Sequence, residues 1–207
     1  LARKPLTTPR KLASQERSRM TVDALIEATA GLLVKEGFDG LSTNKIAQAA
    51  GVSIGSLYQY YPTKEALVAA VIDRHQHKVA ELVRNAMADI MALPLETATR
   101  VLVNVAVQAH RVDPKLHRIL TEQIPRTGRL RNVEAQSRGN FALVRAWLEA
   151  HRGEIRGGDL DLAAFVFATT LEALTHSAVL HQPELLAGAG AKRFVDETTR
   201  LLVGYLR

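Results

Sequence analysis

The sequence predicts an all-α protein of about nine helices. A small N-terminal three-helix unit carries a helix-turn-helix, a connecting helix follows, and a larger helical bundle completes the chain. Three observations predict this. Apolar residues recur at spacings of three and four from Val22 to Tyr205, the period of a helix with one buried face. Aromatic residues make up only 5% of the 207 residues while Ala and Leu dominate, a composition that favours helix over strand. Capping and breaking residues stand where the periodic segments stop: Gly37, Ser42, Gly51, Ser53, Thr63 and the pair Asp113-Pro114.

The first helix runs from Met20 to Glu36, with Val22, Leu25, Ile26, Thr29, Leu32 and Leu33 on its inner face. Gly37 ends it, since glycine accepts the left-handed conformation of a helix C-cap. Ser42 caps a short second helix with Ile46, Ala47 and Ala50 inward. Gly51 turns the chain, and Ser53 caps a third helix reaching Tyr60. Pro62 breaks the chain and Thr63 caps a long fourth helix with Leu67, Val68, Val71 and Ile72 buried. Pro94 precedes a fifth helix. Pro114 opens a sixth at its first helical position. A seventh passes through Phe141, Val144 and Leu148, and an eighth from Leu160 ends near Pro183. The Ala-Gly run at 187–191 reads as a turn, and the last helix as beginning near Lys192. The organisation expected is a basic arm at 1–16, a helix-turn-helix unit at 17–75, and a helical bundle at 76–207.

Charge narrows the functional classes. The net charge is +6, and residues 1–20 hold +5 of it through Arg3, Lys4, Arg10, Lys11, Arg17 and Arg19 against Glu16. Such an arm suits neutralisation of phosphates, and equally a solvated tail. The absence of cysteine removes disulfides and cysteine-built zinc sites. No stretch approaches the roughly 20 uninterrupted apolar residues of a membrane span, and the basic N-terminus lacks the apolar core of a secretion signal. A soluble cytoplasmic protein without a membrane partner is expected.

The segment Ser42–Lys64 carries the chemistry. With Val52 and Leu57 turned inward against Ile46, the third helix leaves Ile54, Gly55, Ser56, Tyr58 and Gln59 facing out or at the edge. A helix presented this way fits the major groove of double-stranded DNA. Gly55 permits close approach, Ser56 and Gln59 can hydrogen-bond base edges, and Ile54 can meet a thymine methyl. Tyr58 reaches a base or a phosphate. Tyr60 and Lys64 at the rim, and Thr43 at the start of the second helix, suit phosphate contacts that position the protein.

Leu25-Ile26-Glu27-Ala28, Glu36-Gly37-Phe38, Ile46-Ala47, Ala50-Gly51-Val52-Ser53, Leu57-Tyr58, Tyr60-Tyr61 and Lys64-Glu65-Ala66-Leu67 together resemble the N-terminal domain of the TetR family of transcriptional regulators. The resemblance implies an all-helical homodimer whose N-terminal domains read a palindromic operator. It also implies C-terminal domains that hold a small-molecule effector and dimerise through the last two helices. Most members of such a family repress until the effector releases them. Carried onto this sequence, base-reading positions fall on Asn44, Ile54, Gly55, Ser56 and Tyr58, and phosphate-contacting positions on Thr43, Ser53, Tyr60 and Lys64. The resemblance departs at Ile54, where the family often has lysine or another polar residue. Residues 21–75 also carry four cations against six carboxylates, so helix dipoles and neutral donors, with or without the basic arm, must hold the phosphates.

The eighth helix is apolar nearly all round, which predicts burial on more than one side. Phe167, Leu171 and Leu174 there, with Phe194, Leu201, Leu202 and Tyr205 on the last helix, are the expected dimer interface, a four-helix bundle between subunits. Candidates for a largely apolar effector pocket are Asn104, Gln108, His110, His117, Trp147, Phe165, Thr169, Glu172 and His176. Each is also a plausible surface or core residue, because pockets are few. The histidines lack a third convergent ligand in sequence, so no metal is expected. No glycine-rich phosphate loop, His-Glu-x-x-His motif or serine elbow occurs, so no cofactor and no catalytic residue is expected. The alternative is a helical ligand-binding or enzymatic bundle carrying a fortuitous helix-turn-helix.

Overall fold

The computed structural model describes residues 16–111, 113–122, 130–156 and 158–207, and the basic arm lies outside them apart from Glu16. Among the described residues the chain is helical throughout: α1 Glu16–Glu36, α2 Thr43–Ala49, α3 Ile54–Tyr60, α4 Lys64–Ile90, α5 Leu95–Arg111, α6 Pro114–Glu122, α7 Leu130–Ala150, α8 Leu160–His181 and α9 Gly188–Leu206. A short 3-10 turn, Pro183–Leu186, joins α8 to α9. Two compact units form. Of the described residues, the first takes 16–77 together with 115–122 and 130–132; the second takes 78–111, 113–114, 133–156 and 158–207. Helix α6 therefore belongs to the first unit, whereas the sequence reading put it in the larger bundle.

In the first unit the predicted caps close each helix. Gly37 has φ 71°, and its N–H donates to the Leu33 carbonyl at 3.0 Å. The Ser42, Ser53 and Thr63 side chains accept from backbone N–H groups three residues on, at 3.3, 3.1 and 3.2 Å. Each such cap contributes about 1 kcal/mol. Leu25, Leu33, Ile46, Leu57 and Leu67 are fully buried in one core, which Leu116 and Leu120 of α6 complete. Thr29 is also fully buried, satisfied by donating to the Leu25 carbonyl at 2.7 Å. α6 joins this core because Leu116, Ile119 and Leu120 are its only apolar stripe, at spacings of three and four.

The second unit is built on α5, α7, α8, α9 and the remainder of α4. Trp147 and Phe167 are its largest fully buried side chains, their rings 5.3 Å apart. The end of α7 is pinned to the turn before α5. His151 is buried, with its ring nitrogens 2.9 Å from the Trp147 carbonyl and 2.8 Å from the Leu93 carbonyl. The Glu154 carboxylate accepts from the Leu95 N–H at 3.1 Å, capping the first turn of α5. Arg100 and Asp196 tie α5 to α9 by an ion pair.

α9 begins four residues earlier than the sequence suggested. The Ala-Gly run is its first turn, with Gly188 at φ 51°. The small residues are needed by the approach of the preceding 3-10 turn. A Cβ on Gly190 would lie 2.5 Å from the Glu184 carbonyl oxygen, a separation that no side chain tolerates. α8, at 22 residues, is long and apolar enough by composition to cross a membrane. Its Ala164, Phe167 and Ala178 nevertheless pack into the core of the second unit.

Candidate nucleic-acid interface

The α2-turn-α3 geometry follows from a few local bonds. Gly51 sits at φ 68°, a value that costs other residues roughly 1–2 kcal/mol. The N–H groups of Gly51 and Val52 then donate to the Gln48 and Ala47 carbonyls at 3.2 and 3.0 Å. Ile46 of α2 and Leu57 of α3 are fully buried beneath the turn. With these two fixed inward, the periodicity of a two-turn helix sends Ile54, Gly55, Tyr58 and Gln59 outward, and all four are exposed. Ser56 is half-buried, its hydroxyl 2.9 Å from that of Ser53.

Tyr58 is 41% exposed, and its phenol shares a hydrogen bond of 3.0 Å with the Thr43 hydroxyl at the first position of α2. The two hydroxyls thus sit together between the start of α2 and the exposed face of α3. Asn44 and Gln59 flank them, both exposed. Gly55 has open space outside the chain: a Cβ there would meet nothing nearer than the Ser53 hydroxyl at 3.8 Å. The fold does not require glycine at that position. A closely approaching partner would.

The cations near this face are engaged. Lys45 donates to Glu36 at 2.6 Å and to the Gly40 carbonyl at 3.0 Å. That hydrogen bond holds the Glu36 carboxyl below the usual carboxylate range. Gly40 is forced by the same corner, where a Cβ would stand 2.7 Å from the Glu36 carbonyl oxygen. Lys64 donates to the Phe38 and Leu41 carbonyls at 3.1 and 3.3 Å and lies 4.5 Å over the Phe38 ring. Its ammonium therefore staples the α1–α2 turn with two of its three donors, at the rim position where the sequence reading expected a phosphate contact. Tyr60 is a second correction. Only 8% of it is exposed, because it belongs with Tyr61 to the core. Burial pushes the Tyr61 phenol up to about 12.

The expected effector and interface residues divide differently from the sequence reading. Asn104 and Gln108 are exposed on α5 beside a cleft against α9. His117 lies in the first unit, its ring 5.8 Å from that of His75. Trp147 is fully buried in the core, with no hydrogen-bond partner for its indole N–H among the described residues. Phe165, Thr169 and Glu172 are exposed on α8, and His176 is half-buried. The side chain of His110 lies outside the described residues. Of the described candidates in the second unit, Asn104 and Gln108 line the cleft between α5 and α9.

Phe167 and Leu202, expected at a dimer interface, are 0% and 1% exposed within the chain itself. They are core residues, since α8 and α9 need an inner face each. Leu171, Leu174 and Phe194 are half-buried. The exposed apolar side chains are Leu162 and Phe165 on α8 and Leu201 and Tyr205 on α9. Leu162 was missed, because an all-apolar helix gives no signal of which face points outward. No group of three or more candidate metal ligands occurs among the described residues.

An all-helical chain with a capped helix-turn-helix and a separate helical unit defines a helix-turn-helix regulator by its fold. Residues 25–71 match the model of bacterial regulatory proteins of the tetR family. Residues 94–206, more than half of the chain, match the tetracyclin repressor-like C-terminal domain. The chain belongs to the TetR family.

Among similar sequences, the nucleoid occlusion factor SlmA of Haemophilus ducreyi is 30% identical over 118 residues, 56% of this chain and 55% of that protein. The HTH-type transcriptional regulator PksA of Bacillus subtilis is 29% identical over 98 residues, 47% of this chain and 45% of that one. The chain spans about half the length of the curated relatives it matches. Among solved structures, the fatty acid degradation regulator FadR of Bacillus halodurans superposes with a TM-score of 0.69 at 24% identity, over 90% of this chain and 96% of that one. A protein described as a TetR-family regulator from Mesorhizobium loti does so at 0.71 and 20% identity, over 92% and 98%. At these identities the structural likeness is one of fold.

Proposed function

We propose that the protein is a dimeric, cytoplasmic transcriptional regulator that binds a palindromic operator in double-stranded DNA, acting as a repressor until a small-molecule effector releases it. The observation that carries this reading is the exposed face of α3. It is uncharged, has a gap at Gly55 that the fold does not need, and is bordered by the paired hydroxyls of Thr43 and Tyr58. Such a face fits groove entry with close backbone approach, where a few polar edges read bases and hydroxyls hold phosphates. Asn44, Ser53, Ser56 and Gln59 supply the remaining neutral hydrogen-bonding groups. The family membership and the regulators among its relatives support the same reading.

Dimerisation rests on the exposed Leu162, Phe165, Leu201 and Tyr205 of the second unit. Large apolar side chains clustered on two neighbouring helices mark an interaction surface, and closed two-fold pairing is the commonest use of one. Footprinting on the DNA upstream of the protein's own gene tests the proposal. A protected palindrome is expected. Protection that shows no dependence on sequence would defeat it.

A further inference from the structure

α5 and α9 border a solvent-open cleft of about 310 Å³ within the second unit. α5 supplies Arg100, Asn104, Gln108 and Arg111 to it. Their spacings of four, four and three put them on one face over three turns. α9 supplies Lys192 and Asp196. The ion pairs Arg100–Asp196 and Glu96–Arg207 show that the two helices run antiparallel. Arg100 and Asp196 therefore close one end of the cleft, and Arg111 stands at the other. The lining holds three cations and one carboxylate, and Arg100 is committed to that carboxylate. Arg100 and Lys192 hold the Asp196 carboxyl below the usual carboxylate range, so it stays charged and paired. Two cations, Arg111 and Lys192, remain exposed beside two exposed amides.

The volume falls at the lower end of small-molecule sites. We propose that this cleft binds a small phosphate monoester: a dianion to match the net double positive charge of its lining, esterified to a hydroxyl-bearing group that Asn104 and Gln108 hydrogen-bond. A guanidinium forks onto phosphate oxygens and an ammonium adds a point charge. The amides select the polar remainder, since each offers both a donor and an acceptor. Asn104 already donates to the Arg100 carbonyl at 2.9 Å, which holds its amide in place and leaves its carbonyl oxygen and second N–H for a ligand. The cleft lies away from the exposed apolar residues Leu201 and Tyr205, roughly opposite them around α9. Ligand binding there is independent of the operator-binding reading and is measured without DNA.

Calorimetric titration of the full chain at low salt tests it, with glucose 6-phosphate as the probe and glucose and inorganic phosphate as the comparisons. Glucose 6-phosphate is expected to bind once per chain, inorganic phosphate more weakly, and glucose not at all. The exposed double variant R111Q/K192Q is expected to lose at least about 10-fold in affinity, the loss of one charge-assisted contact. The single variant K192E gives the same reading if the double variant unfolds. K45Q in the first unit is expected to bind as the wild type does. No binding of glucose 6-phosphate, equal affinity for inorganic phosphate, or unchanged affinity in the cleft variants would overturn the proposal.

Discussion

The hydroxyls of Thr43 and Tyr58 lie 3.0 Å apart across the helix-turn-helix. Fifteen residues separate them in sequence, and the turn at Gly51 brings them together. The bond fixes where the exposed phenol points, so in the proposed operator complex little rotamer entropy remains for it to lose. Tyr58→Phe removes that hydroxyl and keeps the ring. It is expected to weaken operator binding about 10-fold, a hydrogen bond to a charged group. Urea unfolding should move by less than about 0.5 kcal/mol, as for other surface changes. Fluorescence anisotropy on labelled operator, beside the unfolding curve, checks both halves.

Gly51 and Gly55 should respond oppositely to alanine. Gly51 has φ 68°, so Gly51→Ala is expected to destabilise by roughly 1–2 kcal/mol. Gly55 is helical with room for a Cβ, so Gly55→Ala should hold or raise stability, by up to about 0.5–1 kcal/mol. Its DNA affinity should nonetheless fall, because the added methyl intrudes on the partner. Thermal unfolding and anisotropy on the same samples separate the two effects.

Charge on the second unit distinguishes interface from core. Phe165 is 57% exposed while Leu202 is buried. Phe165→Glu is expected to give a folded monomer in sedimentation. Leu202→Ala should instead lower stability by about 2–5 kcal/mol, the usual cost of emptying a core leucine. A folded monomer from the Leu202 variant would reverse this assignment.

Tyr61 links stability to alkaline pH. Its folded-state phenol is raised to about 12 from the ordinary value of 10.0, chiefly by burial. The protonated form is thus favoured in the fold. Its contribution is fully present below pH 10 and is lost as pH rises from about 10 through 12. Unfolding free energy should fall across that window, and the fall should be smaller in Tyr61→Phe.

The corner formed by His151 and Glu154 holds the start of α5. Glu154→Gln replaces a charged acceptor for the Leu95 N–H with a neutral one and should cost about 1 kcal/mol. His151→Ala removes two carbonyl contacts and a buried ring, and about 2–4 kcal/mol is expected. Urea midpoints of the two variants give the comparison.

Local signals were legible in sequence. Gly37, Ser42, Gly51, Ser53 and Thr63 cap or turn through atoms within four residues, so their neighbours in the chain are enough to read them. Tyr60 and Lys64 were not legible in the same way. Tyr60 is the last residue of the two-turn α3 and Tyr61 its C-cap, so the helical period that turns Tyr58 outward does not place either of them. The acceptors of Lys64 lie 23 and 26 residues away. The start of α9 was obscured because an Ala-Gly run looks like a turn until the carbonyl of Glu184 is seen against Gly190. On α8, Phe165 and Phe167 are two residues apart and so point to different sides. Composition alone cannot say which of them is core when both faces are apolar.

On the proposed reading, the exposed face of α3 reads DNA. The double variant Gly55→Glu/Tyr58→Ala tests it most directly, assayed by gel shift on the DNA upstream of the protein's own gene and by sedimentation. Loss of the shifted band with the dimer intact is the result expected. Unchanged binding by the double variant would show that the face of α3 does not read DNA.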